Sequence, residues 1–293
     1  MKKENSTNST SSSRKSKKGL SAVVRWFWYI FIAGVVGVIL LFVSASFGLL
    51  GEMPDFQHLE NPETNLATEI VTADGKSLGK FYLDENRTPI RFKDLPKHLV
   101  DALIATEDER FYEHSGIDVR GTLRAMVYLG SKGGASTISQ QLAKQLFHKE
   151  KTRGLARYTQ KIKEWVIATR LEKQYTKEEI LAMYFNIYDF NNNADGIRSA
   201  AKIYFDKEPK NLKIEEGAML VGMFKNSGLY NPVKNKEGVT NRRNVVLAQM
   251  AKNNYITQEQ KDSLQKLPLK IKFTPESHND GMATYFREYL RSY

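Results

Sequence analysis

LPKHLVDALIATEDERFYEHSG, residues 95–116, is where the chain changes character. Asp94 can cap a helix with Pro96 in its first turn, and Leu99, Val100, Leu103 and Ile104 recur at the spacing of one helical face. The apolar run ends in Glu107-Asp108-Glu109-Arg110, and the chain then turns through Ser115-Gly116. A carboxylate following Ala105-Thr106 on such a helix can be partly desolvated and gain basicity, which makes Glu107 a candidate general base. A solvated or capping helix end is the ordinary alternative.

Downstream the helical period persists. Patterns recur at Val119–Leu129, Ser136–Phe147, Tyr158–Lys173, Lys177–Phe185, Gly196–Tyr204, Ile214–Phe224 and Asn241–Asn253. Thr176 with Glu179, and Thr257 with Gln260, have capping-box spacing and mark two helix starts. The loops between are short, and no repeat or dinucleotide fingerprint appears, so one mainly α domain is expected.

Upstream the pattern differs. Thr68–Thr72 and Ser77–Leu83 flank Asp74-Gly75 and predict a short β-hairpin stem. Gly51 to Leu66, with its Pro, Asn and Glu content, reads as a linker. Trp26 to Leu50 carries no charged side chain. At about 1.5 Å rise per residue it can span the roughly 30 Å hydrocarbon layer with some tilt. Trp26, Trp28 and Tyr29 stand at its first turns, where amphipathic rings favour headgroups. Lys2, Lys3, Arg14, Lys15, Lys17, Lys18 and Arg25 precede it against only Glu4, so the amino terminus is expected in the cytoplasm and the catalytic bulk outside. The span is too long for a usual signal peptide, and only Ser44–Ser46 offers a small-residue cleavage site. The Ser, Thr and Asn run before it reads as a disordered tail.

The 293 residues carry a formal net charge of +11, which favours an anionic membrane surface or a phosphorylated substrate. No zinc finger or RNA-binding sheet signature is present, so nucleic acid is not an expected partner. The absence of cysteine excludes disulfides, thiolate zinc sites and a cysteine nucleophile.

Two more stretches bear chemistry. In GGASTISQQLAK, Gly133–Lys144, the glycines permit close backbone approach. Ser136 and Thr137 can cap the next helix and expose its amide donors, and Gln140, Gln141 and Lys144 lie within two turns. The order is not that of a nucleotide P-loop. In QKIKEW, Gln160–Trp165, Lys161 and Glu164 share a helical side, and Arg157 with Lys161 forms a cationic strip. An ordinary cap and a solvated helix face are the alternatives.

At these residues the chain resembles the peptidoglycan glycosyltransferase family, the lysozyme-like domain found alone or at the front of bifunctional class A penicillin-binding proteins. The motif EDxxFxxHxG is complete as Glu107, Asp108, Phe111, His114 and Gly116. GxSTIxQQxxK is complete as Gly134, Ser136, Thr137, Ile138, Gln140, Gln141 and Lys144. RKxxE appears as Gln160, Lys161 and Glu164, without its arginine. KxxILxxYxN is present through Lys177, Ile180, Leu181, Tyr184 and Asn186, and RRNxVL as Arg242, Arg243, Asn244, Val246 and Leu247.

The resemblance implies a mainly α, lysozyme-like fold and a reaction that polymerises lipid II and releases undecaprenyl diphosphate with inversion at the anomeric carbon. Glu107 is implied as the base and Glu164 as the second carboxylate, beside the diphosphate and as the candidate ligand of a divalent cation, magnesium or manganese. No organic cofactor is expected. Ser136, Thr137, Gln140, Gln141, Lys144, Lys161 and Arg157, with Arg153 the other available arginine, are implied in substrate binding. Asp108, Phe111, His114, Gly116, Asn186 and Arg243 are expected to orient or support.

The expected division is a cytoplasmic tail over 1–25, a transmembrane helix over 26–50, a linker and β stem over 51–94, a glycosyltransferase domain over 95–255, and a helical extension or start of a further linker over 256–293. Expected partners are lipid II, the growing lipid-linked strand, the bacterial cytoplasmic membrane and other cell-wall synthesis proteins. Apolar residues in Ala125–Tyr128 and Leu146–Phe147 could dip into the bilayer or fill the core. Ser263 and Lys266 have the Ser-x-x-Lys spacing of a transpeptidase but lie in a polar helical stretch, so transpeptidation is not expected. Two alternatives stay open: a lysozyme-like hydrolase or lytic transglycosylase, and a weakly catalytic membrane scaffold.

Overall fold

A computed structural model describes residues 14–49, 68–74, 77–81, 87–128, 134–147 and 154–275, together with Tyr289. The chain divides into two compact units, one up to Met53 and one from Pro54 onward.

The first unit is helix α1, Arg14–Ser46. Within it Ala22–Ser46 is long and apolar enough to cross a membrane, and it is the single such segment among the described residues. Helix begins earlier than expected: residues 14–25, assigned above to a disordered tail, continue α1. One cause is that the Lys and Arg of this stretch are good helix formers and can extend a helix already nucleated by the apolar run.

The second unit is mainly helical. Strands β1 (Thr68–Val71) and β2 (Ser77–Phe81) pair antiparallel, Thr68 opposite Phe81 and Ile70 opposite Gly79, as the hairpin pattern predicts. The expected linker over 51–66 lies outside the described residues. Nine helices follow among the described residues: α2 Lys97–Glu107, α3 Val119–Val127, α4 Ile138–Phe147, α5 Leu155–Gln174, α6 Lys177–Ile187, α7 Gly196–Phe205, α8 Ile214–Met223, α9 Lys236–Lys252 and α10 Gln258–Lys266.

Helix α8 is apolar nearly all round, with Ala218, Met219, Leu220, Val221 and Met223 buried, and so lies inside the fold. α2 packs on it with Leu99, Val100, Leu103 and Ile104 inward, and α9 packs against both. A second set brings α4 against α5 and α6. Phe224, just past α8, gathers Tyr184, Phe185, Tyr188 and Phe190 around its ring with centroids 4.4 to 5.7 Å away.

Several local expectations change in register. Asp94 is not the cap of α2; it closes a 3-10 turn and pairs with Arg91, while Pro96 in extended conformation starts the helix. Thr137 rather than Ser136 caps α4, its Oγ1 accepting the Gln140 N–H at 3.2 Å. α9 starts at Lys236, capped by Asn235, rather than at Asn241, because its first turns lack the apolar period used to find it. The capping boxes at Thr176 and Thr257 are both present. After α10 the chain runs extended, and Lys272 and Thr274 donate backbone N–H groups to the carbonyls of Tyr204 and Ile203.

Candidate active site

Glu107 ends α2 at the wall of a cleft of about 400 Å³. The helix stops there because Asp108 leaves helical conformation, at φ −158°, and turns its side chain back into the protein. The buried Asp108 carboxylate accepts the Ile138 N–H at 3.0 Å and meets His114 Nε2 at 3.0 Å. It thereby ties the turn after α2 to the start of α4. Thr137 Oγ1 and Gln140 Nε2 both donate to the Gly116 carbonyl, at 2.7 and 3.1 Å. Gly116 itself has φ +89°, and a Cβ there would lie 2.9 Å from the Ala168 backbone.

These bonds set two polar segments face to face. The cleft is lined by Glu107, Asp108, Ser136, Thr137 and Gln141, along with Arg242, Gln249 and Lys252 from α9. Glu107 Oε2 accepts Gln141 Nε2 at 3.2 Å, and its Oε1 lies 3.4 Å from Arg242 Nη2. The two charged side chains are 15% and 12% exposed, so the pair is sheltered but reachable from the cleft.

The side of the cleft beyond Glu107 is a mixed ionic web. Glu109 meets Lys252 at 3.2 Å, Arg110 at 3.1 Å and Arg124 at 3.7 Å. The hydrogen bond from Lys252 holds the Glu109 carboxyl below the usual carboxylate range, reinforced by the nearby arginines. Burial opposes ionisation of Asp118, yet the Arg110 guanidinium and the Gly121 N–H outweigh it and leave its pKa depressed. Arg110 is correspondingly raised by its bond to Asp118.

Ser136 links this cleft to the second carboxylate. Its Oγ accepts Lys161 Nζ at 2.9 Å, and the same ammonium lies 3.1 Å from Glu164 Oε2. Gln160 Nε2 donates to the other Glu164 oxygen at 3.1 Å. Glu164 is buried, one turn beyond Gln160 on α5, and does not line the cleft directly.

Lys144 and Arg157 are both exposed and are not cleft-lining residues. Lys144 stands about 4.5 Å further along α4 than Gln141, and Arg157 one turn before Lys161. Gly133 and Arg153 lie outside the described residues. Of the remaining residues singled out in the sequence, Phe111 is fully buried edge-on to His114. Asn186 clamps the Ile90 backbone with two hydrogen bonds of 2.9 Å. Arg243 is buried and donates to the carbonyls of Leu267 and Gln265, tying α9 to the end of α10. Burial depresses its pKa.

Sequence reasoning missed Arg242, Gln249 and Lys252 as site residues. The signal was present: Arg242, Val245, Gln249 and Lys252 are spaced three, four and three apart, one helical face. Choosing between the adjacent Arg242 and Arg243 required the rotation of α9, which its neighbours set.

Apart from Lys252, the residues that line this cleft lie within 74–251, which match the transglycosylase family model, and the chain belongs to that family. It is similar to penicillin-binding protein 1A of Pseudomonas aeruginosa, 33% identical over 277 residues that cover 92% of this chain and 33% of that protein. Penicillin-binding protein 1A of Escherichia coli is 38% identical over 240 residues, 79% of this chain and 28% of its own length. A crystal structure of penicillin-binding protein 1A from Haemophilus influenzae aligns with 78% of this chain and 24% of that one, at 24% identity and a TM-score of 0.42. The chain thus spans about a third of the length of the curated relatives it matches.

Proposed function

We propose that this chain is a peptidoglycan glycosyltransferase that polymerises lipid II. The observation that carries the reading is the Glu107 carboxylate on the wall of a polar cleft that the Ser136-Thr137 segment also lines, within the matched family region.

In this reaction Glu107 removes the proton from the 4-hydroxyl of the acceptor sugar. That oxygen attacks the anomeric carbon of the growing strand from the face opposite the diphosphate, inverting the centre and releasing undecaprenyl diphosphate. Negative charge develops on the departing phosphate oxygens. Lys161, bonded to the cleft-lining Ser136, is one proposed phosphate cation, and the exposed Lys144 and Arg157 are available to a lipid diphosphate that extends past the rim. Glu164 orients Lys161. Its oxygens each accept one bond and keep further lone pairs, so Glu164 is the residue that would hold a magnesium or manganese ion if one binds. Such an ion would supply charge neutralisation at the leaving group.

The lipid tails of both substrates belong in the bilayer, and α3 has a face for it. Val119, Leu123, Met126 and Val127, at i, i+4, i+7 and i+8, are all exposed, whereas Leu146 and Phe147 are half-buried. We assign the α3 stripe to the membrane surface, the apolar span of α1 to the anchor, and the cytoplasmic side to the basic amino-terminal end of that helix and the lysines before it. Incubating the full chain in detergent with lipid II tests the whole reading: glycan polymer supports it. Shortening of preformed glycan without polymer supports the hydrolase alternative, and binding without either product supports a scaffold.

A further inference from the structure

Tyr184 lies on α6, its side chain fully buried and its ring stacked on Phe224 with centroids 4.8 Å apart. Its hydroxyl donates to Gln141 Oε1 at 2.7 Å. The other branch of the same amide, Gln141 Nε2, donates to Glu107 Oε2 at 3.2 Å. The two bonds are linked because a primary amide has its acceptor on one branch and its donors on the other. Turning the amide over would put its carbonyl oxygen against the carboxylate and leave the buried phenol proton without that acceptor. Burial, with the Glu107 charge adding to it, pushes the Tyr184 phenol well above its usual range, so it stays a donor at any working pH.

We propose that Tyr184 is a positioning residue for the base: through Gln141 it presents an N–H to Glu107 and fixes the direction of the carboxylate at the cleft wall beside Arg242. This rests on the reading of Glu107 as general base. The phenyl ring already fills the core, so the hydroxyl is needed for the relay rather than for packing. Phe in its place keeps the stack on Phe224, frees Gln141 to rotate, and removes a fixed donor from the ionised form of Glu107.

The test compares Tyr184→Phe, Gln141→Leu and the double variant with wild type, as full chains in detergent with lipid II. kcat and KM are measured across pH, and thermal unfolding alongside. Each single variant is expected to lose roughly ten-fold in kcat and to move the acidic limb of the profile upward by about one pH unit, with KM little changed in Tyr184→Phe, whose side chain is buried away from the cleft. The double variant is expected to be no worse than the poorer single one. A Tyr184→Phe protein with wild-type kcat and an unmoved acidic limb overturns the relay. If Tyr184→Phe does not fold, Gln141→Leu decides through the same two readouts. Failure of wild type to polymerise sinks the glycosyltransferase reading alone, since the relay is still readable without turnover. Solvent exchange of the Gln141 side-chain amide protons in 15N-labelled protein is then expected to be slow in wild type and fast in Tyr184→Phe, and equal rates overturn it.

Discussion

Glu107→Gln separates the chemistry of the cleft from its architecture. The substitution keeps the size and shape of the side chain and removes only its charge and basicity. Structurally, it gives up one ion pair, to Arg242 at 3.4 Å, and obliges Gln141 to meet an amide instead of a carboxylate. The pair is long and partly reached by solvent, so its loss should cost about 1 kcal/mol of stability or less. For a unit of this size that is a fall of about 2–4 °C in Tm. A general base contributes about 10²- to 10⁴-fold to rate, which is roughly 3–5 kcal/mol of the barrier. The expected protein therefore melts close to wild type and polymerises lipid II at least a hundred-fold more slowly. Product analysis by gel electrophoresis of labelled glycan, paired with a melting curve, measures both. A folded Glu107→Gln protein with normal turnover removes Glu107 from the base role and with it the proposed mechanism.

Gly116→Ala should destabilise by about 2 kcal/mol or more, because φ is +89° and the new Cβ meets Ala168 main chain at 2.9 Å; a denaturant midpoint unchanged from wild type refutes the steric argument. Burial lowers the His98 pKa below 6.5, so the unfolded chain binds its proton first on acidification. His98 should then cost stability as pH falls below about 6.5 and nothing above it. His98→Gln should flatten that part of the pH–stability curve, and an unaltered slope assigns the effect elsewhere. Gln160→Arg adds a charge beside Glu164 and should tighten donor binding, read as a lower KM for the lipid-linked strand; an unchanged KM makes another basic residue the functional replacement.

Much of the helical order was legible because core and period coincide. Leu99, Val100, Leu103 and Ile104 are both the repeat that marks α2 and the side chains that bury it. Thr176 and Thr257 were readable because a capping box is a local structure whose partners are three residues apart. α9 was placed late because its polar first turns are stabilised by Asn235 and by packing on α8, not by a repeat. Asp94 illustrates the converse, a good capping residue drawn instead to Arg91.

For the site, sequence by itself determined the inventory and its grouping: which carboxylates, amides and cations are available, and that Glu107, the Ser136-Thr137 turn and Lys161 stand on three separate segments. Distances between those segments were decided by tertiary structure alone. Asp108 bonding Ile138, Gly116 pressed on Ala168, and the rotation of α9 that turns Arg242 rather than Arg243 toward Glu107 are contacts between residues 30 or more apart in the chain, and periodicity carries no information about them. The physical reason is that a hydrogen bond or ion pair is specified by position in space, whereas a repeat specifies only direction around one helix.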